Sequence, residues 1–108
     1  MATAQKNLSE FDPDQLPDAT GLSIGVVVAQ WNSEITHALA QGAIETLKRC
    51  GLQEDHILQW DVPGSFELIY GCQKMMSNHQ ELDAIIVIGS VVEGETKHFD
   101  FVCSGVTQ

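Results

Sequence analysis

Basic residues are scarce in this chain. Five Lys or Arg stand against fifteen Asp or Glu, for a formal charge of −10. Without a basic stripe the chain is a poor ligand for a phosphate backbone, so no nucleic-acid partner is expected. Long apolar runs are lacking as well. No segment approaches the ~18 apolar residues of a membrane span, and no membrane partner is expected. Cysteine is limited to Cys50, Cys72 and Cys103. An odd number at wide spacing, with no C-x-x-C, argues for reduced thiols in a cytoplasmic protein rather than a disulfide frame or a zinc site. His37, His56 and His79 show no ligand spacing either, so no metal is expected. The first residues, "MATAQKNLSEFDPDQLPDATG", have neither an apolar run nor a basic start, so no signal peptide is expected there. Residues 1–20 are polar and acidic and carry Pro13 and Pro17. They read as a flexible N-terminal arm, and residues 21–108 read as one α/β domain.

What is present from Leu22 onward is an alternation. "LSIGVVVA" is a short, continuous, Val-rich run, the pattern of a strand covered on both faces. A helix follows, with Asn32 suited to its N-cap and Glu34 in its first turn. Its apolar stripe is Ile35, Leu39, Ala43 and Leu47; Lys48 and Arg49 lie in its last turn, and Gly51 stops it. "HILQWDV" (His56–Val62) is the second strand, broken by Pro63-Gly64. A second helix starts near Ser65, with Leu68, Ile69, Cys72, Met75 and Met76 on one face. "AIIVIGSVV" (Ala84–Val92) is the third strand. Phe99, Val102, Cys103 and Val106 then fall at helical spacing. The order β-α-β-α-β-α predicts a parallel sheet flanked by helices, a three-layer α/β/α architecture.

In such a sheet the strand-to-helix turns share one edge, and ligands bind there. That rule selects Gln30-Trp31-Asn32, the run Pro63 to Glu67, and the run Glu93 to His98. Together they offer two aromatic rings, carboxylates, amides, hydroxyls, a lysine and a histidine. The set fits a flat polar ring stacked on an aromatic, with an anionic group near the Gly94 turn. Each residue also has a plainer role available. Trp31 and Phe66 can be packing aromatics, Glu67 a dipole-favoured surface charge, and Thr96 an ordinary helix cap. His98 falls in the first turn of the third helix. The positive end of a helix disfavours a further positive charge, so an imidazole there suits proton acceptance. Asp100 can orient that ring or simply favour the helix start.

The segments "VVVAQWNSEIT", "VPGSFEL" and "GSVVEGETKHFDFV", in this order and spacing, resemble the 6,7-dimethyl-8-ribityllumazine synthase family from about Leu22 to Gln108. The resemblance implies a flavodoxin-like fold and a role in riboflavin biosynthesis. The reaction it implies joins 5-amino-6-(D-ribitylamino)uracil to 3,4-dihydroxy-2-butanone 4-phosphate and releases phosphate, with no cofactor or metal. It implies assembly as a homopentamer or larger shell, with sites shared between neighbours. By resemblance Trp31 stacks on the pyrimidine and Asn32 follows it in the site. Ser65, Phe66 and Glu67 hold the ribityl chain and ring, and Val91 and Val92 offer backbone contacts to the uracil. Glu95 and Thr96 cradle the phosphate, and His98 transfers protons. Two departures stand out. Glu93 occupies a place where many members have Arg. The family's last strand and helices, its C-terminal third, have no counterpart here, and that part supplies cationic contacts. A truncated, inactive ribityl-pyrimidine-binding or assembly module is therefore the alternative expectation. A generic flavodoxin-like nucleotide or flavin binder fits less well, because no phosphate-type Ser/Thr/Gly loop follows the first strand.

Overall fold

Val26, Val27, Val28 and Ala29 have no exposed surface at all, and the position of their strand explains it. In the computed structural model, which describes residues 12–108, β1 (Ile24–Ala29) lies in the middle of a three-stranded sheet. It pairs in parallel with β2 (Ile57–Val62) on one side and β3 (Ala84–Ile88) on the other. The order is β2-β1-β3. Alternate side chains of a strand point to opposite faces. Val26 and Val28 meet Ala40, Ala43 and Ile44 of α1 (Ser33–Arg49). Val27 and Ala29 meet Leu68 and Met75 of α2 (Leu68–Asn78). A continuous apolar run is what a strand covered on both faces needs, and burying each of those valines stabilises the fold by about 1.5–3 kcal/mol. The result is the expected flavodoxin-like arrangement of a parallel sheet between helices.

The helix α1 ends as its sequence suggests: Gly51 has φ +98°, a left-handed conformation that glycine adopts without Cβ strain. Its buried face is different from the expected one. Thr36 and Ala40 are buried, while Ile35 and Leu39 are 49% and 53% exposed. The sheet takes the small side chains, which let the helix axis approach closely, and Ala43 and Ile44 continue that face. On α2, Leu68 and Met75 are buried as expected, but Ile69 and Met76 are exposed.

The third strand is shorter than its apolar run. Its ladder ends at the Val28–Ile88 pair, because β1 then turns away: the Gln30 N–H donates to Val62 O on the far side, at 2.7 Å. Residues 89–92 therefore run on without a strand partner in the sheet. The third strand is also an edge, and Val87 is half exposed. Of the expected arm 1–20, residues 1–11 lie outside the described residues. At its other end Ala19 is buried against Ile24 and Leu52, and its N–H donates to Cys50 O at 2.7 Å.

Candidate active site

The chain passes from β1 to β2 on one side of the sheet, then returns past β1 to form β3 on the other. The carboxyl ends of β1 and β3 thus make a switch point, where the turns diverge and leave a crevice. A cleft of about 340 Å³ lies there, lined by Trp31, Gly64, Ser65, Phe66, Glu67, Ser90, Val91, Val92, His98 and Val102. The indole, the phenyl ring and the imidazole singled out from three separate turns line one space. Asn32, Glu95 and Thr96 are not in the lining.

The first turn is sewn to the second by backbone. Trp31 N–H donates to Pro63 O at 3.0 Å, beside the Gln30–Val62 bond. The indole is 52% exposed, so its ring is surface available to a ligand rather than core. Asn32 occupies the N-cap position of α1, and its carbonyl accepts from the N–H groups of Ile35 and Thr36. Its side chain does no capping. With φ 59° and ψ 50°, a left-handed conformation that Asn tolerates better than most residues, the amide is carried across to the third turn. There Nδ2 donates to Ser90 Oγ at 3.2 Å.

The second turn is a short 3-10 segment, Ser65–Glu67, closed by Glu67 N–H donating to Gly64 O at 3.2 Å. Ser65 is buried, and its hydroxyl donates to Ser90 O at 3.1 Å. Its one proton is engaged inside the protein, so towards a ligand it has only acceptor capacity left. The close approach depends on Gly89, where a Cβ would come within 2.6 Å of Ser65 Oγ and 2.7 Å of Leu68 Cδ1. Phe66 presents its ring to the cleft and is 58% exposed. The other side of the ring rests on α3 (His98–Thr107), at Gly105, where a Cβ would overlap Phe66 Cε2.

His98 opens α3, and its N–H donates to Thr96 Oγ1 at 3.3 Å. The Thr96 hydroxyl is therefore an acceptor for the helix start. Among the described residues no hydrogen bond joins Asp100 to the imidazole. Glu93, Glu95, Thr96 and Lys97 are all exposed on the same turn, so two carboxylates and one ammonium share the region expected to face an anion. No group of three His, Cys, Asp or Glu among the described residues could hold a metal ion. Ser90 and Val102 are cleft residues that sequence reasoning passed over. Ser90 could have been found, since it is the first polar side chain after an apolar strand at the ligand-binding edge. Val102 looks like any core position of an amphipathic helix.

Two aromatic faces, a carboxylate, an acceptor hydroxyl and an imidazole around one cleft suit a flat polar ring, with a proton carrier beside it. Fold and site together define an α/β protein of the flavodoxin-like class with a small-molecule cleft at the sheet's switch point. The chain belongs to the 6,7-dimethyl-8-ribityllumazine synthase family, whose model matches residues 21–108. A protein of Christiangramia forsetii named 6,7-dimethyl-8-ribityllumazine synthase is 54% identical over all 108 residues, which make up 64% of its own length. One of Flavobacterium johnsoniae with the same name is 56% identical over the whole chain and 56% of its length. For one of Parabacteroides distasonis, again so named, the identity is 54%, over the whole chain and 67% of the relative. The chain thus spans between 56% and 67% of the length of these relatives.

Proposed function

We propose that the cleft serves the reaction for which these relatives are named, formation of 6,7-dimethyl-8-ribityllumazine in riboflavin biosynthesis. The observation that carries the reading is the convergence of Trp31, Phe66, Glu67 and His98 on one cleft at the switch point. The substrates are 5-amino-6-(D-ribitylamino)uracil and 3,4-dihydroxy-2-butanone 4-phosphate. The ring amine adds to the ketone and water leaves, giving an imine. Loss of a proton from the adjacent carbon expels phosphate, and the resulting enol returns to a ketone. The ribitylamino nitrogen then closes the second ring with loss of another water. Nothing is oxidised or reduced overall, and the chemistry consists of proton transfers on a held substrate.

In this reading Trp31 stacks on the pyrimidine, and Phe66 flanks it from the second turn. Glu67 accepts from ribityl hydroxyls, and Ser65 contributes acceptor capacity. The backbone of Val91 and Val92 meets the uracil edge, and Asn32 stands beside the ring. Glu95 and Thr96 belong to the turn that takes the phosphate, with Lys97 as its nearby cation and the start of α3 as its source of N–H groups. His98 takes and returns the protons. Working as a homo-oligomer, a pentamer or a larger shell, is part of the same proposal; the exposed apolar side chains of α1 suit such contacts. The cytoplasm is the compartment that three free cysteines fit.

Following lumazine absorbance with both substrates tests the reading. His98→Ala should slow turnover about a hundredfold while pyrimidine binding persists. An unchanged rate would show that His98 carries no proton. Trp31→Ala should instead weaken pyrimidine binding.

The exposed carboxylates of Glu93 and Glu95 beside the phosphate turn favour a second reading. Their charge opposes a phosphate dianion, so the chain would be a ribityl-pyrimidine-binding or assembly module without turnover. Calorimetric binding of the pyrimidine, with no product formed when the second substrate is added, is the result that selects it.

A further inference from the structure

The cleft is bounded by three turns, and each pair of them is joined by hydrogen bonds. The first and second are joined by Trp31 N–H to Pro63 O, 3.0 Å. The second and third are joined by Ser65 Oγ to Ser90 O, 3.1 Å. The first and third are joined by Asn32 Nδ2 to Ser90 Oγ, 3.2 Å. The bonds form a closed triangle, and Ser90 is the residue at which two of its three sides meet. It is also where β3 has left the sheet: the strand ends at Ile88, so the third turn has no ladder to hold it in place. Ser90 supplies through two bonds the registration that the sheet no longer gives.

We infer that Ser90 is a positioning residue. Its hydroxyl anchors the Asn32 amide and so sets the pose of the first turn, including the indole, against the third. This rests on the cleft being the pyrimidine site proposed above. Two local facts give the anchor its force. Asn32 sits at positive φ, and its side chain is not engaged by the helix, so the bond to Ser90 is what fixes its amide among the described residues.

The test is a double-mutant cycle in the intact protein with Ser90→Ala, Asn32→Gly and both together. Glycine is chosen at 32 because it keeps the left-handed backbone while removing the amide. Affinity for 5-amino-6-(D-ribitylamino)uracil is read by calorimetry. Exchange of the Trp31 amide hydrogen, read by NMR, needs no ligand. Ser90→Ala should weaken affinity about fivefold, the value of one hydrogen bond near 1 kcal/mol, and should speed Trp31 amide exchange by a similar factor. In the Asn32→Gly background Ser90→Ala should change neither quantity further, whereas Ser90→Thr with Asn32 in place, which keeps the hydroxyl, should leave both near the parent values. Equal, additive effects of Ser90→Ala in the two backgrounds would overturn the proposal, as would an unchanged Trp31 exchange rate. If the unaltered protein binds no pyrimidine, the proposed function fails, while the exchange rates of the four proteins still decide the role of Ser90.

Discussion

Gly105→Ala separates two forces that usually act together. Glycine in a helix interior costs about 1 kcal/mol relative to alanine, so on local grounds the change should stabilise α3. The structure opposes this. A Cβ on Gly105 would overlap Phe66 Cε2, with Cδ2 and Cζ both 3.2 Å away. One of the two must move. Gly105 is held in a helix, whereas Phe66 is 58% exposed, so the ring turns, towards the cleft it lines. Leaving its rotamer well costs about 0.5–1.5 kcal/mol, which offsets the helix gain. The melting temperature should therefore stay within about 5 °C of the parent value. Pyrimidine affinity should not be spared. A displaced ring forfeits an aromatic stacking term of about 0.5–1.5 kcal/mol, a loss of roughly two- to tenfold. Calorimetric titration and thermal unfolding of the same sample measure both. In a Phe66→Ala background the overlap is gone, and Gly105→Ala should then stabilise by the full helix term. If Gly105→Ala raises stability in the parent protein by that same amount and leaves affinity untouched, Phe66 does not rest on α3 and the account of its placement is wrong.

Gly89→Ala should behave differently, because the atoms in its way, Ser65 Oγ and Leu68 Cδ1, belong to buried residues with nowhere to go. A loss of about 1–3 kcal/mol is expected from overpacking, and an unchanged urea midpoint would contradict it. Asp18 accepts hydrogen bonds from the Thr20 hydroxyl at 2.6 Å and the Thr20 N–H at 2.9 Å. The hydroxyl first, and the N–H second, hold its carboxyl below the ordinary Asp value. A lowered folded-state value means that the contribution to stability is complete above the unfolded-state value and is lost as pH falls through the folded one. An NMR titration should give Asp18 a midpoint below the ordinary Asp value, rising towards it in Thr20→Ala; a midpoint that Thr20→Ala leaves unmoved would remove the bonds as its cause.

Much of the cleft was legible because it follows from order along the chain. Once apolar runs and amphipathic helices alternate, the turns that carry Trp31, Phe66 and His98 must share one edge, whatever the packing details. The family resemblance rested on those same turns, and the family match supports it. What was not legible depended on partners distant in sequence. Ile35 and Leu39 are the most apolar residues at their spacing on α1, yet the sheet selects Thr36 and Ala40, because a close approach favours small side chains. Asn32 has the chemistry of an N-cap, but positive φ turns its amide towards Ser90, 58 residues away. "AIIVIGSVV" reads as one strand, and where it stops is decided by β1 turning towards β2.

Local periodicity, then, settles which segments are strands and helices, that the strands run parallel, and on which rim a ligand must sit, since each of these needs only neighbours in sequence. Which strand lies in the centre, which face of α1 is covered, and how Ser90 ties three turns into one wall are settled by contacts between residues tens of positions apart. Those contacts exist only once the sheet has assembled.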